Sequence, residues 1–225
     1  MRLIHPVLEN PFIFEENTVN VLVIENGKTF YKLSNELLNQ INGENGEWIL
    51  SDEKKIKDLD LEKTFSFIIE PYTLDFNNKK IQNKLLAKLK DIAVDSEHYL
   101  LTNDIIGQNV VYIEKLIESI DYSLEYNNMP DINSLLKIFD IRLRPDYDSV
   151  LEKIIEYIKV VNRFLNINSF VFLNLKSYLT SEELGSFYKD CFYNKYNLFL
   201  IESTDSEYRF DCEKYRIIDK DLCEI

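Results

Sequence analysis

The segment that decides the fold is Val19-Asn20-Val21-Leu22-Val23-Ile24, a short and almost continuous run of apolar side chains. Such a run, without the alternation of a half-exposed strand, is typical of a parallel strand that is covered on both faces. Asn26-Gly27 ends the run, and apolar residues then recur at helical spacing from Phe30 to Ile41, which predicts a helix that returns over the sheet. The order of strand, turn and helix indicates an α/β fold.

Alternating strands and helices also make up the C-terminal part of the chain. Apolar residues at helical spacing predict a long helix over 150–165. Thr180 and Glu183 fit a capping box, in which the threonine oxygen and the glutamate carboxylate accept hydrogen bonds from free N–H groups at the start of a helix. Further strands of the same mostly parallel sheet are predicted at 48–50, 65–69, 170–173, 198–201 and 215–218.

The middle of the chain has helical periodicity and little strand character. Two helices are predicted around an interruption at Asn103, Gly107 and Asn109, the first from residue 79 and the second over 110–124. A short helix from Asp131 and a strand over 141–144 follow. We therefore predict an α/β head domain formed by 1–78 and 145–225, with an inserted all-helical leg domain at 79–144.

The composition limits the class of protein. The chain has 225 residues, of which 45% are hydrophobic, a net charge of −13, and three cysteines without a C-x-x-C pair. These values disfavour a disordered chain, a disulfide framework and a zinc ribbon, and the net charge repels nucleic acid unless basic groups cluster. Because we find no long apolar run and no secretory signal, we expect a soluble, cytoplasmic protein without membrane contact.

Gly27-Lys28-Thr29 follows the buried strand in the way that a phosphate-binding loop does. The phosphate cradle also needs an earlier glycine, and the residue at that spacing is Leu22. A neighbouring strand should also end in a metal-binding carboxylate. The predicted strand at 170–173 is followed by Asn174, which is not a carboxylate, whereas the strand at 198–201 is followed by Glu202 and is the single weak match. We predict a nucleotide-binding fold without its phosphate site and without catalytic residues. A nucleotide-dependent, P-loop-like ATPase that uses Lys28 and Glu202 is the enzymatic alternative.

Acidic residues recur along the second leg helix at steps of four, three and four, from Glu114 to Glu125. Like charges at this spacing destabilise a helix unless a cation lies between them, and the loop beyond adds oxygen donors of the kind that calcium prefers. A plain solvated acidic face is the alternative interpretation. The candidate metal ligands are Glu118, Asp121, Glu125, Asn128 and Asp131.

Basic residues form a few small clusters. Such groups neutralise phosphates without reading bases, and surface solubility is the alternative explanation for each cluster. Arg142 and Arg144 alternate with apolar residues, which predicts a strand with both arginines on one face. The candidate DNA contacts are Lys28, Lys54, Lys55, Lys57, Lys79, Lys80, Lys84, Arg142 and Arg144.

The order of these motifs resembles one known family. A buried strand runs into a glycine-poor turn and a helix, and the inserted arm ends in Leu124-Glu125-Tyr126. The segments 170–174, 178–184 and 198–202 then follow in order. In this order and spacing, the motifs resemble the type II-A CRISPR-associated adaptation proteins, the Csn-two family, over nearly the whole chain.

That resemblance implies a degenerate P-loop-like head and a helical leg. It also implies a homotetrameric ring that threads double-stranded DNA ends without sequence preference, structural Ca²⁺ in the legs, and no catalysis. The implied partners are the CRISPR integrase and effector nuclease complex during spacer acquisition. Glu125 matches the acidic position of the family best and Asp121 second, whereas Asn127 and Asn128 stand where relatives carry carboxylates. A purely structural adaptor of the adaptation complex is a further alternative.

Overall fold

The computed structural model describes residues 1–52 and 57–225, with the backbone alone at Lys57. The chain divides into two compact units, Met1–Asp75 with Pro145–Ile225, which we call the head, and Phe76–Arg144, which we call the leg. In chain order, the described elements are β1 (Arg2–Ile4), β2 (Phe12–Ile13), β3 (Val19–Ile24), α1 (Gly27–Ile41), β4 (Ile49–Asp52), β5 (Lys57–Leu59), α2 (Leu61–Thr64), β6 (Phe65–Ile68), α3 (Lys79–Ala93), α4 (Tyr99–Ile117), α5 (Ile132–Ile138), α6 (Val150–Leu165), β7 (Ser169–Leu173), α7 (Ser181–Tyr193), β8 (Asn197–Glu202) and β9 (Glu213–Ile218).

The head is built on a five-stranded parallel sheet with the strand order β6-β7-β8-β3-β9. β3 lies inside this sheet and all six of its residues are buried, as its apolar run predicts. Because the strands are parallel, β3, β7 and β8 end at the same edge, which is where open α/β sheets bind ligands. The predicted α/β fold with a parallel sheet is confirmed.

The two faces of the parallel sheet are covered by different elements. On one face, Leu33 and Leu37 of α1 share a buried cluster with Phe199 of β8. On the other face, the ring of Phe187 in α7 packs against that of Phe172 in β7, with 5.4 Å between the ring centroids. This layering leaves the C-terminal edge of the sheet to be closed by loops.

A second, four-stranded antiparallel sheet with the order β2-β1-β4-β5 completes the head. The predicted strand at 48–50 exists as β4 but belongs to this sheet, where Leu50 is the register partner of Leu3 in β1. Trp48 ties the segment to α1, because its indole N–H donates to the Leu33 carbonyl at 3.2 Å. Sequence analysis missed β1 and β2 because, at three and two residues, they are too short to show alternation.

The capping box at the start of α7 is confirmed. The Thr180 hydroxyl accepts the backbone N–H of Glu183 at 3.3 Å, and the Glu183 carboxylate accepts the backbone N–H of Thr180 at 2.8 Å. Two N–H groups without helical partners are thus satisfied, and the helix start is set at this point. The same hydrogen bonds lower the pKa of Glu183.

The leg helices differ from the prediction in their boundaries. α4 runs without a break through the predicted interruption at 103–109. The break lies at Asp95, whose side chain accepts hydrogen bonds from the N–H groups of Glu97 and His98, both at 2.9 Å. Asn109 is accommodated inside the helix because its side-chain amide donates to the carbonyl four residues earlier at 2.8 Å. The side chain of Asp95, and not the glycine or the asparagines, therefore separates the two helices.

Two further expectations for the leg are wrong. α4 ends at Ile117, so the predicted helix over 110–124 does not continue past that residue. The predicted strand over 141–144 is irregular chain. Its backbone is satisfied by the side chain of Asn77, which accepts the N–H of Leu143 at 2.8 Å and donates to the carbonyl of Leu143 at 3.0 Å. An asparagine side chain thus takes the place of a neighbouring strand.

Candidate functional site

The turn between β3 and α1 is where a phosphate-binding loop would lie. Asn26 caps α1, and its side-chain oxygen accepts hydrogen bonds from the backbone N–H and the hydroxyl of Thr29, both at 3.2 Å. Its side-chain amide donates to the Lys220 carbonyl at 3.1 Å. A phosphate and its metal ion would use the same N–H and hydroxyl groups. The turn is therefore closed by protein hydrogen bonds, and Lys28 lies exposed beside it.

Glu202 ends β8 at the same edge of the sheet, with Val23 of β3 as its register partner. Its side chain is buried, with the residue 3% exposed, and accepts the backbone N–H of Lys176 at 3.2 Å. Burial raises the pKa of Glu202 to about 7, although the hydrogen bond and the charge of Lys176 favour the ionised form. The predicted strand-end carboxylate exists, but it is sealed inside the head.

A buried ion pair lies next to Glu202. Nζ of Lys176 is 2.6 Å from a carboxylate oxygen of Glu213, and the two side chains are 7% and 0% exposed. The Tyr188 hydroxyl donates to Glu213 at 2.6 Å, and the Phe210 N–H donates to its other oxygen at 2.8 Å. Sequence analysis missed this pair because α7 and β8 separate the two residues along the chain, and no local pattern joins them.

The candidate calcium ligands of the leg lie mostly beyond α4. Glu118 is the C-cap residue of this helix, and Asp121, Glu125 and Asn128 follow in irregular chain. The expected single helical face of carboxylates is therefore wrong, because the helix ends before it can align them. Asp131 precedes α5 and lies 3.3 Å from Nζ of Lys90.

These acidic groups do not converge within one copy of the chain. Among the described residues of the leg, no three carboxylates meet at distances that fit one ion. Glu114, the first acidic residue of the series, instead accepts the Tyr126 hydroxyl at 2.5 Å, which raises the pKa of that tyrosine. A calcium site built from these residues needs groups from a second copy or a rearrangement of the segment that follows α4.

The predicted basic residues are distributed over both units. In the leg, Lys79, Lys80 and Lys84 are exposed on α3. Lys80 and Lys84 continue to Lys88 at steps of four, so these three exposed lysines form one stripe along the helix. We call Lys80, Lys84 and Lys88 the lysine stripe.

The other candidate DNA contacts are more varied. The guanidinium group of Arg142 pairs with Asp140 at 2.9 Å, whereas Arg144 is exposed in the irregular chain nearby. Lys54 and Lys55 lie outside the described residues, and so does the side chain of Lys57. Among the members of the predicted set that the structure describes, those on α3 are therefore the ones that share an element.

The apolar residues of α4 are exposed, which the sequence did not predict. None of the 19 residues of this helix is buried within the chain. Four large side chains at steps of four, seven and four share one face, and each is at least 39% exposed: Leu101, Ile105, Tyr112 and Leu116. We call these four residues the α4 stripe. None of the described helices, including α4, is both long enough and apolar enough to cross a membrane.

Comparison with known proteins identifies the family. The sequence matches the family described as CRISPR-associated protein (Cas_Csn2) over residues 40–222, which is most of the chain. The chain belongs to the Cas_Csn2 family. The fold is similar to that in the crystal structure of Stu0660 of Streptococcus thermophilus, with a TM-score of 0.63. The two sequences are 15% identical, and the match covers 97% of this chain and 74% of that chain. No curated protein matches the sequence. Membership of Cas_Csn2 supports a role in CRISPR adaptation.

Proposed function

We propose that this Cas_Csn2 chain is a non-catalytic protein that binds double-stranded DNA ends without sequence preference and acts in spacer acquisition. In this proposal it works as a tetrameric ring stabilised by structural Ca²⁺, next to the integrase and the effector nuclease of the CRISPR system. The closed turn at Asn26 supports a role without nucleotide chemistry, because the groups that would hold a phosphate already have protein partners.

The observation that carries the proposal is the α4 stripe. Apolar side chains on a helix face stabilise a soluble protein only when another surface covers them. Most soluble oligomers are symmetric assemblies of identical chains, in which the same surface of each copy forms the contact. A second copy of this chain, whose own α4 is equally uncovered, is therefore the occupant that we propose.

Replacing Tyr112 with glutamate is expected to break the assembly. The charge would lie in the middle of the α4 stripe, where association removes it from water without a partner. We expect the mass measured by light scattering to fall from that of a tetramer to that of a smaller species, with the 26.7 kDa of a single chain as the lower limit. Asn103→Glu adds the same charge to α4 away from the stripe and should leave the mass unchanged. A tetramer that persists with Tyr112→Glu would contradict the proposed interface.

Calcium is proposed to hold the acidic segment that follows α4. Glu118, Asp121, Glu125, Asn128 and Asp131 bring four carboxylates and an amide within one short stretch of sequence beside the α4 stripe. Oxygen donors of this kind are what Ca²⁺ binds, with six to eight ligands as its usual requirement. Since one copy of the leg does not gather them, assembly of two copies is proposed to complete the ligand set.

Chelation of calcium is expected to lower the melting temperature and disperse the oligomer, because ligands that bind only the assembled state stabilise it. Glu125→Ala should raise the calcium concentration needed for assembly roughly tenfold, since affinity follows the number of charged ligands. Glu97→Ala, an exposed acidic position on the leg outside the set, is the matched control. An unchanged mass by light scattering in chelator would refute the calcium part of the proposal.

DNA contact is proposed to use the lysine stripe. α3 has five lysines and one aspartate, although the chain as a whole is strongly acidic. Local potential rather than total charge decides whether phosphates approach a surface. Contacts of this kind bind the backbone of any sequence, so affinity should fall with salt by a log–log slope of roughly −0.9 for each phosphate neutralised.

A further inference from the structure

Three ligand-type side chains from separate parts of the head converge on one point. His5 follows β1, Glu36 lies on α1, and Glu47 precedes β4. Nε2 of His5 is 3.4 Å from a carboxylate oxygen of Glu36 and 3.8 Å from one of Glu47. The three potential ligand atoms all lie within 4.8 Å of one another. Among the described residues, no other group of three or more histidine, cysteine, aspartate or glutamate side chains comes this close together.

We propose that His5, Glu36 and Glu47 form a binding site for a divalent transition-metal ion such as Zn²⁺. One imidazole and two carboxylates are a donor set that Zn²⁺ and its neighbours accept, with a fourth position left for water. Calcium does not fit the same site, because it requires six or more oxygen ligands. The proposal is therefore independent of the calcium proposed for the leg.

The spacing of the ligand atoms suits a small ion. With metal–ligand bonds of about 2.0–2.1 Å, tetrahedral geometry brings neighbouring ligand atoms to about 3.4 Å from one another. The His5–Glu36 distance already has this value, and the His5–Glu47 distance exceeds it by 0.4 Å. The Glu47 side chain is 60% exposed, so it has room to rotate towards the other two ligands.

The charge of the group also favours a cation. Among the described residues, neither Glu36 nor Glu47 has a lysine or arginine within ion-pair distance. Two carboxylates thus face the imidazole of His5, whose side chain is fully buried. The Glu36 side chain is only 18% exposed, so its carboxylate is the one that gains most from a dication at the centre of the group.

The ligands are held in place by their surroundings. The imidazole of His5 packs against the indole of Trp48, with 4.8 Å between the ring centroids. The second carboxylate oxygen of Glu36 accepts the backbone N–H of Glu47 at 2.5 Å, which turns its first oxygen towards His5. Gln40 fixes the next residue through hydrogen bonds to the N–H and the carbonyl of Trp48, at 2.9 Å and 3.0 Å. Such supporting contacts give a metal site its rigidity.

Metal binding requires one change at the imidazole. The N–H of Val7 donates to Nδ1 of His5 at 3.2 Å, which assigns the ring proton to Nε2, on the side of the two carboxylates. A metal ion replaces that proton at Nε2, and the neutral ring then carries its proton on Nδ1. Metal binding therefore costs the hydrogen bond from the Val7 N–H, which the metal–ligand bonds must offset.

The site would act as a clamp within the head. It connects β1 and the start of β4, both in the antiparallel sheet, with α1, which packs on the parallel sheet. Binding to the folded state alone raises stability by linkage. We therefore expect Zn²⁺ to raise the melting temperature of the full chain in a way that depends on Glu47.

Calorimetric titration of the chelator-treated full chain with ZnCl₂, in buffer that contains excess Ca²⁺, tests the proposal. We expect one Zn²⁺ bound per chain and a higher melting temperature. Because the Glu47 side chain is mostly exposed, the Glu47→Gln variant should fold normally. It should nevertheless weaken Zn²⁺ binding by about tenfold or more, because it removes a charged ligand. Glu36→Gln should behave in the same way. Glu44→Gln, an exposed neighbour outside the group, is the matched control and should bind as the unmodified chain does.

Each outcome decides the proposal. Binding that is lost in both ligand variants and kept in Glu44→Gln supports it, as does a visible absorption spectrum of tetrahedral type when Co²⁺ replaces Zn²⁺. The absence of binding, or Zn²⁺ binding that Glu47→Gln leaves unchanged, overturns it, the latter because the ion must then lie elsewhere on the chain.

Discussion

Replacing Lys176 with methionine is expected to lower the free energy of unfolding by about 3–5 kcal/mol, the usual cost of removing one partner of a buried ion pair. Glu213 would keep its hydrogen bonds from Tyr188 and Phe210 but would lose the only cation shown within ion-pair distance among the described residues. Its carboxylate is fully buried, so water cannot replace the ammonium group. The Tyr208 carbonyl would also lose its hydrogen bond from Nζ of Lys176, at 3.1 Å.

Urea denaturation at neutral pH measures this loss. The double variant Lys176→Met with Glu213→Gln should recover a large part of it, because it removes the uncompensated charge along with the ammonium group. Lys63→Met is the matched control, since Lys63 pairs with Asp60 on the surface and should show no measurable change. A loss below about 1 kcal/mol for Lys176→Met would show that the pair is solvated in solution.

Replacing Glu202 with glutamine is expected to remove a strong pH dependence of stability. The pKa of Glu202 is raised by burial from 4.5 in the unfolded chain to about 7 in the folded protein. Between these values the folded state holds a proton that the unfolded state has lost, so stability falls as the pH rises through this window. The full difference corresponds to about 3 kcal/mol, all of which is lost above the folded-state pKa.

The measurement is the free energy of unfolding of both proteins at pH 5 and pH 8.5. Glutamine keeps an oxygen that can accept the Lys176 N–H, so the variant should gain about 2–3 kcal/mol relative to the unmodified chain as the pH rises across this range. Glu207→Gln, an exposed position, should follow the unmodified chain. Parallel pH curves for Glu202→Gln and the unmodified protein would mean that Glu202 is ionised throughout.

Sequence analysis predicted best where local pattern and tertiary environment agree. The run in β3 is apolar because both faces of the strand are covered, and the pair Thr180 and Glu183 caps a helix through contacts three residues apart. In both places the physical cause lies within a few residues of the pattern. The residue at position 22, where a phosphate-binding loop would need a glycine, can likewise be read directly from the sequence as leucine.

The features that sequence analysis did not predict depend on contacts between residues that are far apart in the chain. The ion pair of Lys176 with Glu213 and the group around His5 depend on pairings between distant strands, which no window of sequence contains. The end of α4 was placed too late because apolar spacing continues beyond Ile117 while the helix does not. Those later apolar residues read as a helix stripe, yet Ile120 and Leu124 are exposed in irregular chain. Exposed apolar residues can thus produce the same sequence pattern as a buried helix face.

The topology of the DNA tests the proposed ring that threads the ends of double-stranded DNA. Gel-shift assays in Ca²⁺ would compare a linear duplex with a relaxed circle of the same sequence and length. Lys80→Glu with Lys84→Glu should weaken binding to the linear duplex and reduce the salt slope by about 2, whereas Lys63→Glu with Lys189→Glu should not. We expect the circle to bind at least about tenfold more weakly than the linear duplex, because a closed ring can be entered only from a free end. Contacts on the outside of the ring would give the circle non-specific binding alone. Equal binding to the two topologies would contradict it.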